Sequence, residues 1–352
     1  MKLFIILIFV LISPINLNGF EFFTSKYYHY NIETFNADLT KKNLIKVSTD
    51  KTIESFLNKF LDTNNRLKFN NIFNRKYKSE ELIKSINIEN EFIRENKYIA
   101  DIKINLNIRK IINIFRNEKI NYTFLNSKPF LVISTYNFGF NSYGLNQKNK
   151  FNSIFKDKIT RNDLLIKFNF PNLDFNDRYI LPLEKIKIFD INSFNRILDK
   201  YKLKNLIYFQ IEKSANLENY QINIFTYSLE NNLKKIVSLD SINTKNLDSF
   251  FNHSTNLTIN YLDDWWKKNN NINNKIINSK ICIIKANNYN DLLTIRNSIS
   301  SISELKSINI KELSFNSNLI IINYYGDERI FKQNLIMKNL LFEFNDKCII
   351  YK

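Results

Sequence analysis

The chain has little of what most catalytic sites are built from. Its 352 residues include two histidines, two cysteines, four glycines and four prolines. His29 and His253 fall in different segments. A Ser/His/Asp or Cys/His site needs a base held beside its nucleophile, and neither histidine offers one. No His/Cys pair stands at zinc-ligand spacing. So few glycines leave no Gly-rich phosphate loop. The reading is no catalytic residue, no metal ligand and no cofactor site.

Alanine is also scarce, at Ala37, Ala100, Ala215 and Ala286 only. The rare residues have GC-rich codons, while the abundant Asn, Lys, Ile, Phe and Tyr have AT-rich ones. That bias explains much of the formal charge of +17, from 51 basic and 34 acidic residues. The basic residues are scattered, without an Arg-rich stripe or an aromatic-basic RNA motif. A dispersed charge is a solvated surface. The reading is no nucleic-acid partner, with weak contact to an anionic membrane surface left open.

What is present begins with a leader. Met1-Lys2 is followed by an apolar run from Leu3 to Ile12 and then Ser13-Pro14. A positive start and a short apolar run form a secretory signal, too short to span a membrane. The expectation is a cleaved signal peptide over 1–19 and a periplasmic mature protein. Gly19 is the only small residue near the cleavage region. Hydrophobic residues make up 44% of the chain, which supports folded domains rather than disorder.

Hydrophobic spacing then divides the mature chain. The first domain, 20–126, opens with a strand at 27–34 and a helix over 38–61. Ile53, Phe56, Leu57, Phe60 and Leu61 recur on one face of that helix. Residues 62–77 read as polar loop and 79–86 as a short helix. Tyr98, Ala100, Ile102, Ile104, Leu106 and Ile108 alternate as a half-buried strand, and a helix with Phe115 follows. The middle α/β domain, 127–268, has a buried strand from Phe130, a long mobile loop at 137–150, a helix at 193–202, paired strands at 206–211 and 220–227, and a long helix at 246–267. An Asn-rich linker, 269–278, leads to the last domain, 279–352. There the order is β-α-β-β-α-β, the ferredoxin-like split. The fold class is α+β: several small α/β sandwich units, the last ferredoxin-like.

Few residues stand out for function. Asp263-Asp264-Trp265-Trp266 ends the long helix. Neighbours on a helix point about 100° apart, so the two acids do not face each other. One reading packs a tryptophan on the core and turns the acids to water. The functional reading makes Trp265 or Trp266 an exposed anchor for a partner. Cys282 and Cys348 lie in the first and last strands of the final domain. Those strands are expected to be antiparallel neighbours, and an exported compartment permits a disulfide. In Tyr324-Tyr325-Gly326-Asp327, Gly326 supplies a turn and Asp327 an N-cap.

Several stretches together resemble the bacterial exported-protein family called domain of unknown function 2066. They are Asn90-Glu91, Tyr98-Ile99-Ala100, Lys128-Pro129-Phe130-Leu131-Val132, the helix ending in Trp265 or Trp266, and Tyr325-Gly326-Asp327. The resemblance implies export and a structural role for Glu91, Tyr98, Pro129, Gly326 and Asp327. The family has no established activity. Asn149-Lys150-Phe151 with Phe155 stands where the family has Asn-Pro-Trp and a second tryptophan, and Pro182-Leu183-Glu184-Lys185 where it has Pro-Leu-Gly-Asp. The leading expectation is a non-catalytic envelope factor that binds or assembles another protein. Two alternatives stand beside it: a hydrolase or other enzyme using acids near the 137–150 loop, and a small-ligand or membrane-surface binder.

Overall fold

The computed structural model describes residues 22–94, 96–138, 141–146, 148–213, 220–228, 232–241, 247–314, 317–344 and 348–352. The leader and Gly139 lie outside the described residues. Helices and strands interleave in an α+β arrangement, with three sheets among the described residues. Among the described residues, no helix is long and apolar enough to cross a membrane.

In chain order the elements are β1 (Phe22–Thr24), β2 (Tyr28–Glu33), α1 (Ala37–Phe60), α2 (Thr63–Lys76), a 3-10 turn (Ser79–Leu82), β3 (Ile83–Arg94), β4 (Lys97–Asn107) and α3 (Ile108–Asn117). Next come β5 (Phe130–Phe138), β6 (Asn141–Tyr143), α4 (Lys150–Arg161), β7 (Phe168–Asn169), α5 (Phe175–Ile180), α6 (Leu183–Lys187) and α7 (Ile191–Tyr201). Then follow β8 (Asn205–Lys213), β9 (Tyr220–Ser228), β10 (Asn232–Ser241) and α8 (Leu247–Asn269). The last stretch holds β11 (Ile277–Lys285), α9 (Tyr289–Ser300), β12 (Leu305–Leu313), β13 (Ser317–Tyr325), α10 (Glu328–Met337), β14 (Leu341–Phe344) and β15 (Cys348–Tyr351).

These elements form two compact units. One takes Met1–Leu57, Leu67–Asn121 and Ile272–Lys352; the other takes Asn58–Arg66 and Tyr122–Asn271.

The first unit contains two sheets. In the N-terminal sheet, β1 and β2 pair with one edge of β4 and β3 pairs with the other, all antiparallel. The alternation in β4 buries Tyr98, Ala100, Ile102, Ile104 and Leu106 on one face. Phe56 of α1 packs edge-on against Phe23 and beside Phe115 of α3. Two expectations fail here. Residues 63–76 are helix rather than loop: Asp62 accepts from the backbone N–H groups of Asn64 and Asn65, and Phe69 and Phe73 lie buried one turn apart. Nine of the helix's fourteen residues are Asn, Lys or Arg, so its apolar stripe is narrow. Residues 83–86 are strand rather than helix, because β3 pairs with β4 from Ile83 onward, across two register shifts.

The C-terminal sheet of this unit runs β12-β13-β11-β15-β14. It begins with the expected split β-α-β-β-α order. The expected single last strand is instead two short strands, β14 and β15, paired as a hairpin. The chain therefore returns beside β11 in the parallel direction, not the antiparallel one. Helices α9 and α10 cover one face, with Ile295, Ile299, Phe331 and Leu335 packed on Ile284, Ile320, Ile322 and Ile350. The Asn-rich stretch is not a free linker. Ile272 and Asn274 are buried, and the Asn274 amide donates to the carbonyl of Ile120 at 2.6 Å.

The second unit holds a mixed sheet in the order β10-β9-β8-β5-β6, with the short β7 also paired to β5; β5 runs parallel to β8 and β7, and the other pairs are antiparallel. Both faces of β5 are buried, which is why Leu131, Val132 and Ile133 form an unbroken apolar run. Val132, Phe209 and Ile222 pack with Phe151, Phe155, Phe251 and Leu262 of α4 and α8. Leu131, Ile133 and Tyr208 pack with Leu181, Ile186, Phe194 and Ile197 of α5 to α7 and the turns beside them. The described residues of 137–150 are held in place by named partners. Residues 141–143 pair with β5, Leu145 is buried, and Asn149 caps α4 while its amide donates to Ser134 and Gly144.

Candidate functional site

Helix α8 carries the residues of most functional interest. Its inner face is fixed by Phe250, Phe251, Ile259 and Leu262, all buried. That leaves Leu257, Asn260, Tyr261, Asp264, Trp265, Lys268 and Asn269 along the flank facing β10. With Leu239 of β10 and Thr63 they line a groove of about 360 Å³. All of these residues belong to the second unit.

The two tryptophans have different tasks. Trp266 donates from its indole N–H to the Leu125 carbonyl at 2.8 Å and meets the Phe130 ring edge-on at 6.3 Å. It is a packing residue and not available as an anchor. Trp265 is half-buried and forms one wall of the groove. The acids also separate, and neither simply faces water. Asp263 pairs with buried Lys267 at 2.5 Å, and burial pushes its carboxyl up. Asp264 accepts from the Thr63 N–H at 2.7 Å and from Lys268 at 2.7 Å. Burial pushes Asp264 up as well, but these donors outweigh it and hold the carboxyl below its usual range. Asp264 therefore stays ionised and ties the groove wall to the start of α2. Burial also raises the Tyr261 phenol, so it stays neutral.

The groove thus presents Leu239, Leu257, Tyr261 and the Trp265 face, with one satisfied ion pair at its end. It offers shape and apolar surface, and a polar tip for orientation. Its one carboxylate, Asp264, is engaged by the Thr63 side chain and N–H and by Lys268. Among the described residues, no three His, Cys, Asp or Glu side chains converge to hold a metal ion. Residues 137–150 contain no carboxylate of their own, and the nearest described pairing is exposed Lys150 with Asp248 at 3.2 Å.

Other singled-out residues lie in the first unit. Glu91 accepts from the Tyr98 hydroxyl at 2.8 Å and from Lys41 at 3.0 Å. Those two donors, Lys41 foremost, hold the Glu91 carboxyl below its usual range. Gly326 has φ +82, and Asp327 accepts from the Arg329 N–H at the start of α10. Cys282 and Cys348 are opposite each other on β11 and β15 and are joined by a disulfide, with Cα atoms 4.4 Å apart. His29 contacts Asp101 at 2.6 Å on an exposed strand, and His253 is exposed on α8. Pro129 immediately precedes β5 in the second unit.

Sequence reasoning missed Glu304. Its side chain has no solvent access, yet it sits between α9 and β12 in a stretch without any periodic signal. Ser303 donates to it at 2.8 Å and Asn334 also donates to it. Arg116 of α3 lies nearby, donating to the carbonyls of Ser303 and Leu305 and stacking 4.6 Å from the Tyr325 ring. Only the fold brings these residues together.

Compared with family models, curated proteins and solved structures, the chain matches none.

Proposed function

We propose that this protein is an exported, non-catalytic factor of the cell envelope that holds part of another protein in the groove beside Trp265. The observation that carries this reading is the groove itself. An aromatic wall, aliphatic floor and single oriented ion pair suit an inserted apolar side chain. The adjoining strand β10 is an edge of its sheet, so an extended partner segment can lie along it while one side chain enters the groove. The leader anatomy and the resemblance to domain of unknown function 2066 support export. The scattered charge gives at most weak contact with anionic lipid.

The test is a photo-crosslinking residue placed at Leu257 in cells. A discrete cross-linked protein is expected, lost with Trp265→Ala and absent when the probe sits at exposed His253. Equal cross-linking from both positions, or none from Leu257, overturns the proposal. Sequencing the N-terminus of the mature chain tests export separately.

A further inference from the structure

Within the first unit, α3 meets the C-terminal sheet through polar groups. The apolar core under α9 and α10 draws its residues from Cys282 onward, and α3 has no side chain in it. Arg116 of α3 instead donates to the carbonyls of Ser303 and Leu305, on either side of Glu304. Its guanidinium lies 4.6 Å from the centre of the Tyr325 ring. The Glu304 carbonyl accepts from the Tyr325 N–H at 2.8 Å. Just past α3, the Ile120 carbonyl accepts from the Asn274 amide at 2.6 Å. Residues 303–305 are thus held between Arg116 on one side and β13 on the other.

The Glu304 side chain turns into this joint and has no access to water. It accepts from the Ser303 hydroxyl at 2.8 Å and from the Asn334 amide of α10, two neutral donors. The charged groups that face it are Arg116 from α3 and Lys338 from the end of α10. Arg116 directs its bonds to the two flanking carbonyls and not to the carboxylate, and its Nε–H is buried without a partner. Such a site suits a carboxyl that carries its proton. Ionised, the same group is a buried charge held mainly by neutral donors, and access to water relieves it. The joint with α3 is where water can enter at least cost. Opening it breaks polar bonds that water can replace and leaves the apolar core under α9 and α10 closed.

We infer that Glu304 is a proton-operated latch on the joint with α3. Protonated, it keeps residues 303–305 docked between Arg116 and Tyr325. Ionised, it frees them while both sheets of the unit stay folded. Backbone hydrogen exchange of the whole chain at about pH 5.5 and 7.5, corrected for the intrinsic rate at each, tests this. The Tyr325 N–H is the reporter, because it is bonded to the Glu304 carbonyl. Its protection should fall about tenfold or more between the two values, a change that one proton can drive across this window. The amides of Ile102 in β4 and Ile283 in β11, both paired on two sides, should keep theirs. A fall of the same size at all three sites means unfolding of the whole unit and overturns the latch. So does Tyr325 protection that does not change with pH. In Glu304→Gln the Tyr325 N–H should be equally protected at both values. A fall as large as in the wild type assigns the effect to another group and also overturns the inference. The wild-type profile alone separates a local latch from global unfolding, whatever the stability of that variant.

Discussion

The amide of Asn334 donates to the carboxylate of Glu304, a side chain with no access to water. Burial pushes the Glu304 carboxyl up to about 7, against the pull of Ser303, Asn334 and the Arg116 charge. Lys338 also faces this acid, and burial lowers the Lys338 ammonium more than Glu304 raises it. Glu304 therefore takes up a proton on folding in the window between its ordinary value and about 7. Its contribution to stability is full below the ordinary value and is lost as pH rises through about 7. Urea unfolding should show stability falling from pH 5 to pH 8. The slope is at most about 1.4 kcal/mol per pH unit for one proton. Glu304→Gln keeps an acceptor for Asn334 and should flatten that slope. An unchanged slope in the variant assigns the pH dependence to another group.

The disulfide closes a loop between residues 66 apart, from the first to the last strand of the C-terminal sheet. Cys282 and Cys348 are buried under α9 and α10, so bonding them ties the hairpin β14–β15 to the sheet. Restricting the unfolded chain across a loop of this length is worth about 2–4 kcal/mol. Reduction, or a Cys282→Ala, Cys348→Ala double variant, should lower stability by that amount. Denaturant unfolding with and without dithiothreitol measures it. No difference between the two conditions contradicts a stabilising bond.

Why the pairing of these cysteines is readable while its direction is not comes down to residues 341–351. The apolar spacing marks the stretch as strand, and only the short polar run Asn345-Asp346-Lys347 in the sequence announces the reversal that makes β14 and β15 antiparallel. Strong periods survive translation into structure: β4 alternates as written, and Phe56, Leu57, Phe60 and Leu61 are all buried. Helix α2 fails the same test because two phenylalanines in a polar run give too little signal. Packing of Phe69 on Phe115 at 5.5 Å overrides the composition. For the site, the sequence isolates the Trp265-Trp266 pair, but the choice between them needs the Leu125 carbonyl, 141 residues away from Trp266. Glu304 and Arg116 are likewise brought together only by the fold.

Gly326 should tolerate no side chain. Its φ of +82 is a conformation that L-residues adopt at a cost, and a Cβ there would stand 3.2 Å from the Asn273 backbone nitrogen. The residue is also fixed from both sides: its N–H donates to Ile276, and its carbonyl accepts from Asn278. The strain cannot be relieved without breaking these bonds. Gly326→Ala should cost more than about 1 kcal/mol, measurable as a lower thermal midpoint. A midpoint equal to wild type would show that the turn can relax.

A fragment cut at the boundaries that periodicity suggests, 127–268, should not fold as a cooperative unit. The second unit includes Asn58–Arg66, a segment far away in sequence. Phe60 packs on Phe124 with ring centres 4.6 Å apart, and its carbonyl accepts from the Thr123 N–H at 3.0 Å. Buried Lys267 donates to the Asn58 carbonyl, and Asp264 accepts from the Thr63 N–H. Removing the segment leaves Lys267 with one partner fewer and opens the groove wall. A buried donor that loses a partner costs about 1–3 kcal/mol at most, and the cut also removes the Phe60–Phe124 ring contact altogether. Joining residues 58–66 by a flexible linker ahead of residue 122, which also returns Thr123, Phe124 and Leu125, should restore a sigmoidal unfolding transition. If the fragment 127–268 alone unfolds as sharply as the joined form, the segment is dispensable and the groove stands without Thr63.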